Sequence, residues 1–384
     1  MFLLTSRNTT KNWTRSWQTA PSFYKLPKNP VDDIKCKTNR ITKTVSAALH
    51  LPSIVGDYEL GCIYGNVKTH KQCKPLCPII SQIPAPIYHL AKRLNIILIP
   101  YVPGDHSLKS SAEFLEALRP TAPCGISASM DVESPFTNVP VNETIQIILD
   151  CVYRDPTTPS LKVPEHTLCA LLKMCTIKAP FSTHRGNMYT QINSIAMGSL
   201  LGVLFVNFYL ATIEKRVFTN IRKAQMHVRY IDDTFISTET SEEIENLRYA
   251  FHTHNCLNFT NEYSHDRHLP FLDVLVKQWE EYFTKKMYTK PTNLVICING
   301  KSEFPKRYKQ SAISAFIRRA LSHSSSWTDT HGELESAARI LIDNGHTNWE
   351  VDKCIRGAMN RWCHQEPRPK SSEDIKLFYL RKIP

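Results

Sequence analysis

Two rhythms of apolar residues run through the chain. Between residues 141 and 152, Val141, Ile145, Ile148, Leu149 and Val152 fall on one helical face, the mark of a helix with one side against a core. A helix is also expected near 87–98 and over 242–252, and a strongly apolar run predicts one over 200–217. Other runs have strand length. Residues 127–132, 227–230, 234–237, 257–260 and 268–276 read as strands. Residues 61–71 and 75–81 read as two short strands joined by a basic turn, and 181–190 as a hairpin around Arg185-Gly186-Asn187. A further hairpin is expected to pair 279–283 with 286–289. From Lys306 the pattern turns helical and basic, with helices over 334–344 and 349–362.

Composition narrows the setting. The 384 residues, 42% hydrophobic and 21% charged, are enough for a folded protein with a substantial core. A formal charge of +12 and a pI near 9.1 favour a polyanionic partner, nucleic acid ahead of membrane. The twelve cysteines show no repeated CxxC spacing and follow no signal sequence, which predicts reduced thiols and a nuclear or cytoplasmic protein. His70, Cys73 and Cys77 have metal-ligand spacing, but no fourth ligand stands nearby. No run is long enough to span a bilayer, so no membrane partner is expected.

The chemistry concentrates at Tyr230-Ile231-Asp232-Asp233. Two adjacent carboxylates between strand-like runs are expected in the tight turn of a hairpin, where they repel unless a cation joins them. Asp131 ends another predicted strand, and Gly198 stands at the entrance of the apolar helix. If the strands are neighbours, Asp131 and Asp232 would share one face and hold two Mg²⁺ ions about 4 Å apart. Lys68 and Lys71, in the basic turn, could meet a triphosphate or a template backbone, although a solvated loop has the same composition. Together these features point to nucleotidyl transfer.

The order of blocks is specific. Val67-Lys68-Thr69-His70-Lys71, Pro75-Leu76-Cys77-Pro78-Ile79-Ile80-Ser81, Met130-Asp131-Val132-Glu133-Ser134-Pro135-Phe136-Thr137-Asn138-Val139-Pro140, Ala196-Met197-Gly198-Ser199, Arg229-Tyr230-Ile231-Asp232-Asp233-Thr234-Phe235 and Leu269-Pro270-Phe271-Leu272-Asp273-Val274-Leu275-Val276 follow one another in sequence. Through Tyr288-Thr289-Lys290-Pro291-Thr292, this series resembles the reverse transcriptase of Penelope-like retroelements over roughly residues 60–345. Telomerase and other right-hand polymerases would be more distant relatives.

The resemblance implies an α+β right-hand polymerase with fingers, a palm whose antiparallel sheet is packed by helices, and a helical thumb. The expected boundaries are an N-terminal arm or upstream remnant at 1–58, fingers at 59–123, palm at 124–278, thumb region at 279–362 and the start of a linker at 363–384. It implies RNA-directed DNA polymerase activity with an RNA template, a DNA primer and dNTPs, and two Mg²⁺ ions or Mn²⁺ in their place. Asp131, Asp232 and the Val132 carbonyl would hold metal, with Asp233 auxiliary to catalysis. Lys68, Lys71, Phe136, Met197 and Gly198 would handle the nucleotide, Phe136 as a steric gate against a ribose 2′-hydroxyl. Phe271, Leu272 and Asp273 would form a primer grip.

Several positions depart from the family's pattern. Cys77 stands where an Arg is usual, Pro135 where a Leu is usual, Asn193-Ser194 for a Gly-Val pair and Leu200 for a Pro. No Lys lies within 256–266 to protonate pyrophosphate, and no C-terminal GIY-YIG nuclease follows. These departures define an alternative expectation: a truncated copy that binds nucleic acid without catalysis.

Overall fold

The computed structural model describes residues 23–49, 57–67, 76–192, 194–221, 224–253, 256–293 and 295–365. Its strands, in chain order, are β1 (Phe23–Lys25), β2 (Gly61–Val67), β3 (Leu76–Ser81), β4 (Ile126–Val132), β5 (Phe181–Ser182), β6 (Met188–Gln191), β7 (Met226–Tyr230), β8 (Asp233–Thr238), β9 (Phe259–Tyr263), β10 (His268–Phe271), β11 (Val274–Gln278) and β12 (Phe283–Met287). They form three sheets. The first has the order β1-β6-β5-β2-β3, the second β7-β8-β4-β9 and the third β10-β11-β12.

Both faces of the four-stranded sheet are covered. On one face Ala128, Met130, Val132 and Ile236 join the helices Val141–Tyr153, Gly202–Asn220 and Ser241–Thr253 in the largest apolar cluster. The predicted stripe Val141, Ile145, Ile148, Leu149 and Val152 is buried there. On the other face Met226 and Phe235 meet Phe114 and Leu118 of the helix Ser111–Leu118, with Leu269, Phe271 and Val274 of the third sheet. The Phe235 ring lies 5.3 Å from Phe114 and 5.6 Å from Phe271. Coverage on both faces explains why β8 is apolar at successive positions.

The helices Lys306–Ser322, Trp327–Asp343 and Asn348–Gln365 form a bundle with a core of its own, including Ile313, Ile317, Leu334, Leu341, Val351 and Ile355. Ser326 caps the second of them by accepting from the Asp329 backbone N–H at 3.0 Å. At the other end of the chain lies the helix Val31–Leu49. None of the helices among the described residues is long and apolar enough to cross a membrane.

Two strand expectations need correction. The run 268–276 is a hairpin of β10 and β11, turning at Leu272-Asp273 with Leu272 at φ +53°. Its buried positions, Leu269 and Phe271, then Val274 and Val276, shift phase at the turn, and a continuous strand cannot do that. The next hairpin pairs β11 with β12, from Val274↔Met287 to Gln278↔Phe283, so Trp279 lies in the loop and pairs with no strand.

Candidate active site

Register brings the acidic positions together. β4 runs antiparallel to β8 with Met130 opposite Thr234, so one further step along the ladder sets Asp131 opposite Asp233. Met130 and Thr234 are buried while Asp131 and Asp233 are exposed, so the alternation turns both carboxylates away from the core. β7 and β8 are antiparallel neighbours whose last pair is Tyr230↔Asp233. The turn is therefore Ile231-Asp232, and Asp233 opens β8 where a place in the turn itself was expected.

Asp233 registers the crowding. Its carboxyl is pushed up to about 6, first by desolvation and then by the charges of Asp232 and Asp131, with Lys290 acting in the opposite direction. Three mutually repelling carboxylates at one sheet end have the donor chemistry for a hard cation. Among the described residues, no three His, Cys, Asp or Glu side chains are gathered closely enough to hold a metal by themselves.

Asp131 leads directly into the nucleotide-handling candidates. Val132 ends β4 with its side chain buried. Ser134 adopts a left-handed conformation, φ 49° and ψ 55°, and Pro135 opens the single-turn helix Pro135–Asn138. An N–H at that first position would have no helical acceptor, so Pro135 costs the helix nothing there. Phe136 follows, its carbonyl accepting from the Ile195 N–H at 2.9 Å. Its ring lies against Gly202, where an added Cβ would come 3.1 Å from Cε1. Met197 and Gly198 are fastened to β3, with the Ile80 N–H donating to the Met197 carbonyl at 2.8 Å. Gly198 has φ +100°, and a Cβ there would lie 2.7 Å from the Ile80 carbonyl oxygen. These contacts link Phe136 through Ile195 to the Met197-Gly198 segment.

The remaining candidates divide. Phe271 is buried, Leu272 is half-buried and Asp273 is exposed, with an Asp273 carboxylate oxygen 3.2 Å from Nη2 of Arg319 in the first bundle helix. The Tyr288 N–H donates to the Asp273 carbonyl at 2.9 Å. Lys68, Lys71, His70 and Cys73 lie outside the described residues, as does the side chain of Cys77.

Behind the turn lies a buried polar group that apolar periodicity does not reveal. Arg229 donates through Nε and Nη2 to Oε1 and Oε2 of Glu214 at 2.7 and 3.1 Å, and through Nη1 to Asn207 Oδ1 at 2.8 Å and the Ile231 carbonyl at 2.9 Å. His227 Nε2 lies 3.2 Å from Glu214 Oε1. A signal existed: Glu214 interrupts the buried helical series Leu210, Ile213 and Val217, and carboxylates are almost never fully buried without a partner. Lys290, within the block Tyr288-Thr289-Lys290-Pro291-Thr292, likewise acts on Asp233 across a sequence distance that local patterning does not record.

The chain has the α+β fold of right-hand polymerases, shared with reverse transcriptase and viral RNA polymerase structures over most of its length. Telomerase from Candida albicans, in complex with a fragment of telomeric RNA, superposes with a TM-score of 0.54 and 11% identity over 90% of this chain and 58% of that one. The corresponding Candida tropicalis complex gives 0.53 and 10%, over 94% and 58%. The Sicinivirus 3Dpol RNA-dependent RNA polymerase gives 0.50 and 10%, over 79% and 66%. The chain thus spans under two thirds of the length of each. Residues 296–356 match the animal helix-turn-helix domain family, which covers most of the C-terminal bundle. No curated protein matches the sequence.

Proposed function

We propose that the chain is an RNA-directed DNA polymerase of the Penelope-like retroelement class, extending a DNA primer on an RNA template. The observation that carries this reading is the carboxylate cluster at the end of β4 and the β7–β8 turn, with Asp233 raised to about 6 by desolvation and then by the charges of Asp232 and Asp131. Asp131 and Asp232, with the Val132 carbonyl, would hold Mg²⁺ or Mn²⁺. The bound ions would lower the pKa of the primer 3′-hydroxyl and neutralise the triphosphate. In the reaction the 3′-oxygen bonds to the α-phosphorus, the bond from that phosphorus to the bridging oxygen breaks, pyrophosphate leaves and the hydroxyl proton passes to solvent.

The chain's own groups supply position and selection. Phe136 closes the space a 2′-hydroxyl would need, while Met197 and Gly198 support the incoming base. Lys68 and Lys71 meet the triphosphate. The hairpin tip Phe271-Leu272-Asp273 steadies the primer end, and the basic bundle holds duplex as a thumb. A net charge of +12 supports a phosphate-rich partner.

A silent nucleic-acid-binding remnant is the second reading, favoured by Cys77 where the resembled family has Arg, since a thiol cannot make the charge-assisted hydrogen bonds of a guanidinium. Primer extension with dNTPs and Mg²⁺ separates the two. The first reading expects extension that Asp232→Asn abolishes. Extension absent from the wild type and restored by Cys77→Arg supports the remnant, and activity that survives Asp232→Asn removes the proposed site.

A further inference from the structure

We propose that Arg229 is a positioning residue for the catalytic turn, fixing the Ile231 carbonyl so that Asp232 is presented in a single orientation. The role rests on the polymerase reading above. Ile231 has φ +59° in a two-residue turn. A positive φ at the first turn position belongs to glycine, and a β-branched side chain there is strained. Such a conformation persists where its surroundings over-determine it.

Arg229 supplies that constraint from below. Its Nη1 donates to the Ile231 carbonyl at 2.9 Å and to Asn207 Oδ1 at 2.8 Å, while Nε and Nη2 are occupied by Glu214. Asn207 and Glu214 both belong to the helix Gly202–Asn220, so the guanidinium ties the turn to the most buried helix of the core. The backbone of Arg229 is fixed as well. Its N–H donates to the His106 carbonyl at 2.7 Å and its carbonyl accepts from Leu108 at 2.6 Å. A planar fork can serve the carboxylate and the carbonyl together, whereas a lysine ammonium is a compact point charge without that geometry.

An ion pair that merely holds helix to sheet would show the same contacts, so the test must separate fold from orientation. Arg229→Ala leaves the buried Glu214 carboxylate without its guanidinium, with His227 as its remaining partner, and such a chain can fail to fold. The Arg229→Met/Glu214→Met double variant removes both charges at similar volume, and Arg229→Lys keeps the charge. Two quantities are measured: kcat and KM for dNTP in primer extension, and hydrogen exchange of the amides of 230–234 without nucleotide. In the double variant the thermal midpoint stays near that of the wild type, kcat falls about 100-fold, and KM stays within about twofold. Exchange at 230–234 rises at least about tenfold while that of 127–131 does not change.

Unchanged exchange, or raised exchange with kcat retained, overturns the proposal. If the wild-type chain extends no primer, the polymerase reading fails and exchange alone decides the role of Arg229. If the double variant is unfolded, Arg229→Lys is judged by the same readouts.

Discussion

Glu214 and Arg229 close on each other as a two-pronged ion pair, at 2.7 and 3.1 Å, with side chains 4% and 2% exposed. Burial alone would raise the Glu214 carboxyl. The charge of Arg229 and the hydrogen bonds from His227 and Arg229 outweigh it and hold the group down to about 2. A depressed folded-state pKa contributes stability that is complete above the unfolded value near 4.5 and lost as pH falls toward 2. Glu214→Gln should therefore flatten the loss of stability between pH 4.5 and 2. At pH 7 it should cost about 3–5 kcal/mol, because Arg229 keeps a buried charge without its counter-ion. Urea unfolding across that pH range checks both, and an acid limb as steep as the wild type's would remove Glu214 as its source.

Gly198→Ala tests the junction between β3 and the Met197-Gly198 segment. The added Cβ would stand 2.7 Å from the Ile80 carbonyl oxygen, in a backbone at φ +100° that L residues rarely adopt. The neighbour cannot easily give way, because the Ile80 N–H is bonded to the Met197 carbonyl. A loss of about 1–3 kcal/mol is expected by thermal unfolding, with a raised KM for dNTP. A variant as stable as wild type would mean that the segment is held less tightly than this contact requires.

Legibility in the sequence followed the range of the interactions. The helix Val141–Tyr153 could be read from its own apolar spacing, and β4 and the β7–β8 pair from short runs bounded by turns, because local periodicity records which face is buried. The α+β right-hand fold came from the order of the motif blocks and is the fold observed. What stayed hidden depends on neighbours distant in sequence. The Arg229–Glu214 pair joins a strand to a helix, and the approach of Lys290 to Asp233 depends on how the chain returns after β12. The turn at Leu272-Asp273 was read through as strand because Leu is not a turn residue by composition, although the phase of buried positions marks the break.

The contact between Asp273 and Arg319 should matter little for stability. Their side chains are 58% and 38% exposed and the pair is 3.2 Å apart, and solvent-exposed pairs contribute about 0–1 kcal/mol. Asp273→Ala should therefore lower the unfolding free energy by less than about 1 kcal/mol, and by less still in 1 M salt. A loss several times larger would show that the hairpin and the first bundle helix depend on each other for folding.

Phe136 and Gly202 allow the steric gate to be tested from two sides. Phe136→Ala removes the ring, and ribonucleotides should then be incorporated, with dNTP over rNTP selectivity falling at least about tenfold. Gly202→Ala works in the other direction. Its new Cβ would lie 3.1 and 3.2 Å from Cε1 and Cδ1 of Phe136, so the ring must shift away from the helix by a few tenths of an ångström. Gly202 is the first residue of that helix. Its φ is not in the positive range, so alanine is accommodated there without backbone strain and the variant stays folded. The displaced ring should crowd the nucleotide, lowering kcat/KM for dNTP about tenfold while ribonucleotides stay excluded. Steady-state kinetics with both nucleotide types distinguish the outcomes. If Phe136→Ala leaves selectivity unchanged, Phe136 is not the gate; if only Gly202→Ala is silent, the ring has room to move without reaching the nucleotide.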